Sequence, residues 1–372
     1  MACFCVIMAG GRGTRFWPLS RARRPKQLLK ILGPKSLIRE AVERAIPLGG
    51  AGRTLVVTVS EQLDDLAREI PMLPRRNFLA EPVGRNTAPC IGLAALEVSR
   101  RDPEAVMVVL PADHWIAGRS AFRRTLRTAV RLASRTDDLI TIGIRPGYPE
   151  TGYGYIVKGA PIKGSPGAFR VAAFKEKPNR RAAFGLIRRG ALWNSGIFVW
   201  RAAAWLSLLE RHQPKIAERL DRIRSAAGRG SLAAPNPRLR RILAREYRAM
   251  PAISADHAVL EKAGAEGRII VVAGEFAWSD VGSWAAVHRM MRRDRDGNAG
   301  NGRWVAVGAR DCLVHSPERL VVLLGVRGVV VVDTPDALLV GDLERSQEVR
   351  DLVQLLERRG YRAYTAGWRS EG

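Results

Sequence analysis

Three glycines in four positions, Gly10, Gly11 and Gly13, stand ahead of Arg15 and, after a proline-bracketed basic run, Lys26, all within MAGGRGTRFWPLSRARRPKQLL. Glycine carries no Cβ, so backbone N–H groups in such a segment approach anionic oxygens closely, while Arg15 offers a forked donor and Lys26 a compact charge. The set suits a triphosphate and supplies no obvious nucleophile. No Gly-Lys-Ser/Thr follows, so this is not a Walker A loop, and GRGTRF lacks the third glycine of a dinucleotide fingerprint. Two acids add what a triphosphate also needs. Asp113 follows an apolar run in AVMVVLPADH, and Asp280 sits in WSDVGSW between two tryptophans. Two carboxylates from distant segments suffice for Mg²⁺, which fills its remaining positions with phosphate oxygens and waters. The histidines, His114, His212, His257, His288 and His315, have no HxH or HExxH spacing, so no zinc site is expected; His114 is placed to brace Asp113.

These residues need a scaffold, and the chain has an α/β rhythm. CFCVIMA, TLVVTVS and AVMVVLPADH read as strands; SLIREAVERAI and EQLDDLAREI have helical spacing. Strands apolar throughout, alternating with amphipathic helices, predict a parallel sheet covered on both faces. Ligands of such sheets bind beyond the carboxyl ends of the strands, which places the glycine loop near Asp113. Turn signals alternate with short strands between residues 147 and 200, read as a substrate-side lobe. After Trp284 the glycine-rich RRDRDGNAGNG reads as a turn, lacking the aspartate spacing and terminal glutamate of a calcium loop. Valine-rich strands and a helix around SQEVRDLVQLLERRG follow, giving two expected domains, 1–290 and 291–372.

The chain has 372 residues, 47% of them hydrophobic, enough to bury a sizeable core. Its formal net charge is +25, but of 61 basic residues only nine are lysines, and the arginines are spread along the whole chain. No helix-turn-helix, RNA-recognition or zinc-finger pattern accompanies them, so no specific nucleic-acid partner is expected; the charge favours small anionic substrates. No apolar run reaches the roughly 18 to 20 residues of a membrane helix, and MACFCVIMAGG reads as a first strand rather than a leader because it lacks a basic start. Cys3, Cys5, Cys90 and Cys312 have no CxxC spacing, which fits reduced thiols in a cytoplasm. Trp17 and Trp193 are assigned to core packing ahead of stacking on a ligand.

GGRGTRFWPLSRARRPKQLL, AEPVGRNTAP, LPADHWI, PETGYGYI, FKEKP, WNSGIFVW, ISADHAVLEK and WSDVGSW occur in order along nearly the whole chain. In this the chain resembles the bacterial mannose-1-phosphate guanylyltransferases, or GDP-mannose pyrophosphorylases, among the sugar-1-phosphate nucleotidyltransferases. The resemblance implies an α/β fold, a Rossmann-like (GT-A-like) mixed sheet flanked by helices with a small C-terminal left-handed β-helix-like domain. It implies Mg²⁺-dependent synthesis of GDP-mannose and diphosphate from GTP and mannose 1-phosphate, a cytoplasmic location and a homodimer formed through the C-terminal domain. It also implies that no isomerase domain follows VVVVDTPDALLV.

By the same resemblance Gly10, Gly11, Gly13 and Thr14 hold the nucleotide phosphates, Arg15 the leaving diphosphate and Lys26 the charge at the reacting phosphates. Asp113 and Asp280 become Mg²⁺ ligands; Lys177 holds the sugar phosphate, and Glu176, Asn194 and the backbone at Gly154 hold the sugar. Guanine offers adjacent N1–H and N2–H₂ donors that one carboxylate can accept, and Glu81 is the candidate, with Arg85, Asn86 and Thr87 lining the nucleoside. Asp256 receives no role. Two other readings remain: a relative using glucose 1-phosphate or another nucleotide, and a regulatory or scaffold subunit without catalysis, against which intact Arg15, Lys26, Asp113, Lys177 and Asp280 speak.

Overall fold

The structure is a computed structural model describing residues 2–11 and 13–366. The chain forms two compact units. The first comprises residues 1–10, 41–112 and 116–278, the second residues 11–40, 113–115 and 279–372.

The first unit is built on a nine-stranded sheet in the order Phe78–Glu81, Thr54–Val59, Cys3–Met8, Val106–Pro111, Leu192–Arg201, Leu139–Ile144, Ile269–Gly274, Ala168–Lys175, Tyr155–Pro161. The first four run parallel, as their apolar composition predicts, and Met8 pairs with Pro111, so both strands release the chain at the same end. The sheet as a whole is mixed. Leu192–Arg201 runs antiparallel to both neighbours. The pattern reading missed this because a strand buried on both faces is apolar in either direction. Nor do residues 147–200 form a lobe of their own: their strands extend the same sheet, with Tyr155–Pro161 at its edge.

Helices seal the sheet. Thr87–Arg101 starts at Asn86, whose side chain accepts from the Thr87 N–H at 2.8 Å, and is buried from Ala88 to Val98. Its small residues permit this depth: a Cβ on Gly92 would lie 2.7 Å from Leu220 Cδ1. Trp200 stacks on Trp205 with centroids 4.8 Å apart, both fully buried in the same core. Charges lie inside as well, Glu97 and Glu246 among them. Glu97 is inaccessible to solvent and accepts from Arg100 at 2.6 Å, Arg101 at 2.9 Å, Ser231 Oγ at 3.2 Å and the Leu232 N–H at 3.1 Å, which ties the loop before Leu239 to the helix.

The second unit has its own core of Phe16, Trp17, Leu29, Val281, Trp284, Leu313, Val330, Val349 and Val353. Its strands Ala299–Val307, Leu313–Leu324, Val329–Asp333 and Leu338–Asp342 form a sheet in sequence order. The first three are parallel although only short turns join them, whereas parallel strands of a flat sheet need crossovers of about a dozen residues. A coil of β-helix type satisfies both facts. Gly302, at φ +99°, makes one of its corners, where a Cβ would lie 1.8 Å from the Ser316 carbonyl oxygen. Among the described residues no helix is long and apolar enough to cross a membrane.

Breaking a buried charge cluster by removing one partner strands the others. Glu97→Ala is therefore expected to lower the unfolding free energy by about 3 kcal/mol in chemical denaturation; a loss below about 1 kcal/mol would show the cluster to be dispensable.

Candidate active site

In the second unit, the residues expected to meet a triphosphate converge, except Gly10 and Gly11. Gly13, Thr14, Arg15, Phe16, Lys26, Asp113, His114, Asp280 and Gly282 line one cavity of about 560 Å³. Thr14–Phe16 form a single 3₁₀ turn, anchored by Phe16, whose ring meets Trp284 edge-on at 5.1 Å. Gly13 has φ +62°, and a Cβ there would fall 2.2 Å from Lys26 Cβ and 2.9 Å from Lys26 N. Only glycine lets the loop lie on the Lys26 backbone. Lys26 is 6% exposed; its Nζ donates to Asp113 Oδ2 at 2.7 Å and to the Asp280 carbonyl at 2.6 Å. Burial alone would raise the Asp113 carboxyl, but Lys26 and then His114 hold it below the usual carboxylate range. Asp113 is thus anionic at neutral pH.

Asp280 is aimed by a strained turn. Val281, a buried β-branched residue, has φ +49°, and its N–H donates to Ser279 Oγ at 3.0 Å. Ser283 then caps Trp284–Met290 through the Ala286 N–H. A Cβ on Gly282 would lie 2.9 Å and 3.1 Å from the two Asp280 carboxylate oxygens, so this glycine leaves the space they occupy. The donor set is hard oxygen from two acids, which fits a cation of the Mg²⁺ type completed by phosphate and water. It does not fit an all-protein cage: among the described residues no three acids, histidines or cysteines group as a metal site.

The first unit carries the other expected residues. Asn194 is locked from every side: its N–H donates to the Gly154 carbonyl at 2.8 Å, Thr141 Oγ1 donates to its Oδ1 at 3.0 Å, and its Nδ2 donates to Asp256 Oδ1 at 2.9 Å. A Cβ on Gly154 would lie 2.6 Å from Glu176 Oε2 and 3.4 Å from Asn194 Cβ, so Gly154, Glu176 and Asn194 share one place. Lys177 pairs with Glu176 at 3.3 Å and holds φ +41°, an unfavourable conformation for a residue before proline. Asp256, given no role from sequence, belongs to this cluster; burial, then the Glu176 charge, pushes its carboxyl up to about 6. It opens a π-helical turn, Asp256–Leu260, a feature with no sequence signature.

Glu81 does not offer an open edge to a base. It is 3% exposed, accepts from Tyr247 OH at 2.5 Å, and lies with Oε2 3.2 Å from where a Gly10 Cβ would stand. Burial raises it from its ordinary 4.5 to about 7, against the lowering effect of bonds with Tyr247 and Cys90. Arg85 donates to the Arg248 carbonyl, and its Nε is buried without a partner. Asn86 caps its helix, and Thr87 Oγ1 accepts from the Ala255 N–H at 2.8 Å. Gly11 lies in open space. Trp193 packs edge-on against Tyr148 and Tyr153, and Trp17 Nε1 donates to the Tyr364 carbonyl at 2.9 Å, so both are packing residues. Missed altogether were Tyr247, which reads as an ordinary helix residue, and the cavity-lining Arg350, Val353, Gln354 and Glu357.

Residues 4–297 match the nucleotidyl transferase family, and residues 302–356 match a mannose-P isomerase/GMP-like beta-helix domain. A mannose-1-phosphate guanylyltransferase of Klebsiella pneumoniae is 38% identical over 358 residues, covering 95% of this chain and 73% of the relative. The alginate biosynthesis protein AlgA of Pseudomonas aeruginosa is 34% identical over 363 residues, covering 95% and 72%. Among solved structures, a Thermus thermophilus protein described as a mannose-1-phosphate geranyltransferase aligns with TM-score 0.84 at 36% identity, covering 96% of this chain and 100% of that one.

The raised Glu81 carboxyl carries a stability signature. The unfolded chain ionises near 4.5 and the folded chain near 7, so Glu81 contributes fully below the lower value and loses its contribution as pH rises through the higher one. Glu81→Gln, whose amide oxygen can still accept from Tyr247, should match the parent near pH 4 and exceed it by up to about 3 kcal/mol at pH 8. A stability difference flat across that range would refute the assignment.

Proposed function

The chain belongs to the mannose-1-phosphate guanylyltransferases, within the nucleotidyl transferase family, and from that membership we propose how its residues divide the work. The enzyme joins α-D-mannose 1-phosphate to the guanylyl part of GTP, giving GDP-mannose and diphosphate. The attacking phosphate oxygen is already anionic, so no general base is required, and rate acceleration comes from positioning and charge neutralisation. The single observation that carries the assignment of roles is the cavity in which Lys26 bridges Asp113 and Asp280 beside the glycine turn.

Gly10, Gly11, Gly13 and Thr14 present backbone donors to the nucleotide phosphates. Arg15, which has no ion-pair partner among the described residues, takes the departing diphosphate, and Lys26 neutralises charge where the bond changes. Asp113 and Asp280 hold a divalent cation, Mg²⁺, which when bound draws charge from the phosphate oxygens. Lys177 holds the sugar phosphate. Glu176, Asn194 and the Gly154 backbone hold the sugar hydroxyls, with Asp256 fixing the Asn194 amide. Glu81 braces Gly10 from beneath rather than reading guanine, while Arg85, Asn86 and Thr87 stay assigned to the nucleoside, supported by the orphaned Arg85 Nε. Four free cysteines agree with a cytoplasmic setting.

Diphosphate release by the purified protein, compared across GTP, ATP, UTP and dTTP with mannose or glucose 1-phosphate, should require GTP and favour mannose 1-phosphate. Asp113→Asn and Asp280→Asn should each lower kcat/KM at least about 100-fold and raise the Mg²⁺ needed for half-maximal rate. Near-normal rates in both would remove the metal assignment.

The small sheet supports association with a second copy. Val305 pairs with Val322 and Val307 with Leu324 across neighbouring strands, and all four are exposed, at 49, 59, 54 and 74%. With Leu320 they make a contiguous apolar face, which a lone soluble chain rarely shows to water. Sedimentation should give a dimer, and Val322→Asp with Leu324→Asp a folded monomer; an unchanged dimer would place the interface elsewhere.

A further inference from the structure

The phosphate-side cavity has a second wall from the far end of the chain. Arg350, Val353, Gln354 and Glu357 line it, all from the helix Val349–Arg358. Their spacing of three, four and seven residues is one helical face. The helix is not loosely laid there. Val349 and Val353 are buried in the core that holds Phe16 and Trp17, so the 3₁₀ turn bearing Arg15 and the helix bearing Arg350 rest on the same side chains. Beyond the helix the chain is fastened to the basic segment: Trp17 Nε1 donates to the Tyr364 carbonyl, the Ala22 N–H to that of Thr365 at 3.1 Å and the Arg23 N–H to that of Ala366 at 3.1 Å.

The charges facing the cavity are unequal in what they have left to offer. The ammonium of Lys26 is committed to Asp113. Arg15 and Arg350 both face the cavity and, among the described residues, neither has an ion-pair partner. Two guanidinium groups on separate walls can each present a planar fork to phosphate oxygens.

We propose that Arg350 is a phosphate-binding residue of the active site, contacting the β,γ-diphosphate of the nucleotide and the diphosphate product, so that the carboxy-terminal helix completes the triphosphate site. The inference rests on the guanylyltransferase reading above. It goes beyond it by assigning part of the phosphate recognition to a segment outside residues 4–297, which match the nucleotidyl transferase family.

The test compares the full chain with Arg350→Gln, Arg350→Lys and, as a charge control on the same tail, Arg359→Ala. KM is measured for GTP and mannose 1-phosphate in synthesis, and for diphosphate and GDP-mannose in the reverse direction. Arg350→Gln should raise KM for GTP and for diphosphate about 10-fold or more, with those for mannose 1-phosphate and GDP-mannose within about twofold. Arg350→Lys should recover part of the loss, and Arg359→Ala should match the parent. Unchanged KM values for GTP and diphosphate in Arg350→Gln would overturn the proposal, as would an equal loss toward all four substrates, the mark of a displaced helix. Should the parent turn over none of the pairs, the guanylyltransferase reading fails. Titration calorimetry with inorganic diphosphate and Mg²⁺ then still decides the role of Arg350: about 10-fold weaker binding in Arg350→Gln upholds it, and equal binding ends it.

Discussion

A buried ammonium is the constraint on which the cavity beside the glycine turn depends. Lys26 is almost wholly enclosed, and a charge taken out of water is tolerated only where fixed oxygens replace its hydration. Its oxygens come from Asp113 and from the Asp280 backbone, 87 and 254 residues away in sequence. Folding cannot bury Lys26 without bringing these segments together, and in doing so it places both aspartates beside the glycine turn. The bond works in the other direction too. It keeps the Asp113 carboxyl anionic against its own desolvation.

The backbone around these charges is under matching constraint. Gly13 lies so close to Lys26 that a methyl group would overlap its Cβ. Of the four non-glycine residues with positive φ among the described residues, three stand at candidate-site segments: Asn86 before the buried helix, Lys177 next to Glu176, and Val281 between Asp280 and Gly282. Strain of this kind persists only where surrounding contacts over-determine it. Val281 supplies the example, fully buried against the core of Trp284 while its backbone turns Asp280 outward.

What the sequence made legible follows from the same physics. The glycine turn, Arg15, Lys26, Asp113 and Asp280 were readable because bare backbone and fixed charge after an apolar strand have few structural uses, and the cavity gathers all of them except Gly10 and Gly11. The strand Cys3–Met8 and its parallel neighbours were readable from composition, but the direction of Leu192–Arg201 was not, since burial on both faces erases it. The burial of Glu81 was not legible because its neighbourhood in sequence, LAEP, says nothing of Tyr247, which comes 166 residues later and bonds to it. Asp256 escaped because its meaning lies in a bond to Asn194, and Arg350 because a basic residue on an amphipathic helix looks solvated until the rest of the cavity is known.

The acids whose protonation is shifted near these segments divide into two kinds by what faces them. Asp113 meets a cation and is driven toward the charged form. Glu81 meets a tyrosine hydroxyl and Asp256 an asparagine amide, neutral donors that do not offset burial, and both carboxyls are driven toward the proton-bound form. In many enzymes an acid raised to near neutrality is the general base. Here the attacking oxygen carries its own charge, so no proton need be removed, and the raised values of Glu81 and Asp256 have a different consequence. Each lies against another segment, Glu81 beside Gly10 and Asp256 bonded to the Asn194 amide. Glu81 near 7 and Asp256 near 6 both change charge close to neutral pH. The pH response of these two acids therefore enters through stability rather than through proton removal.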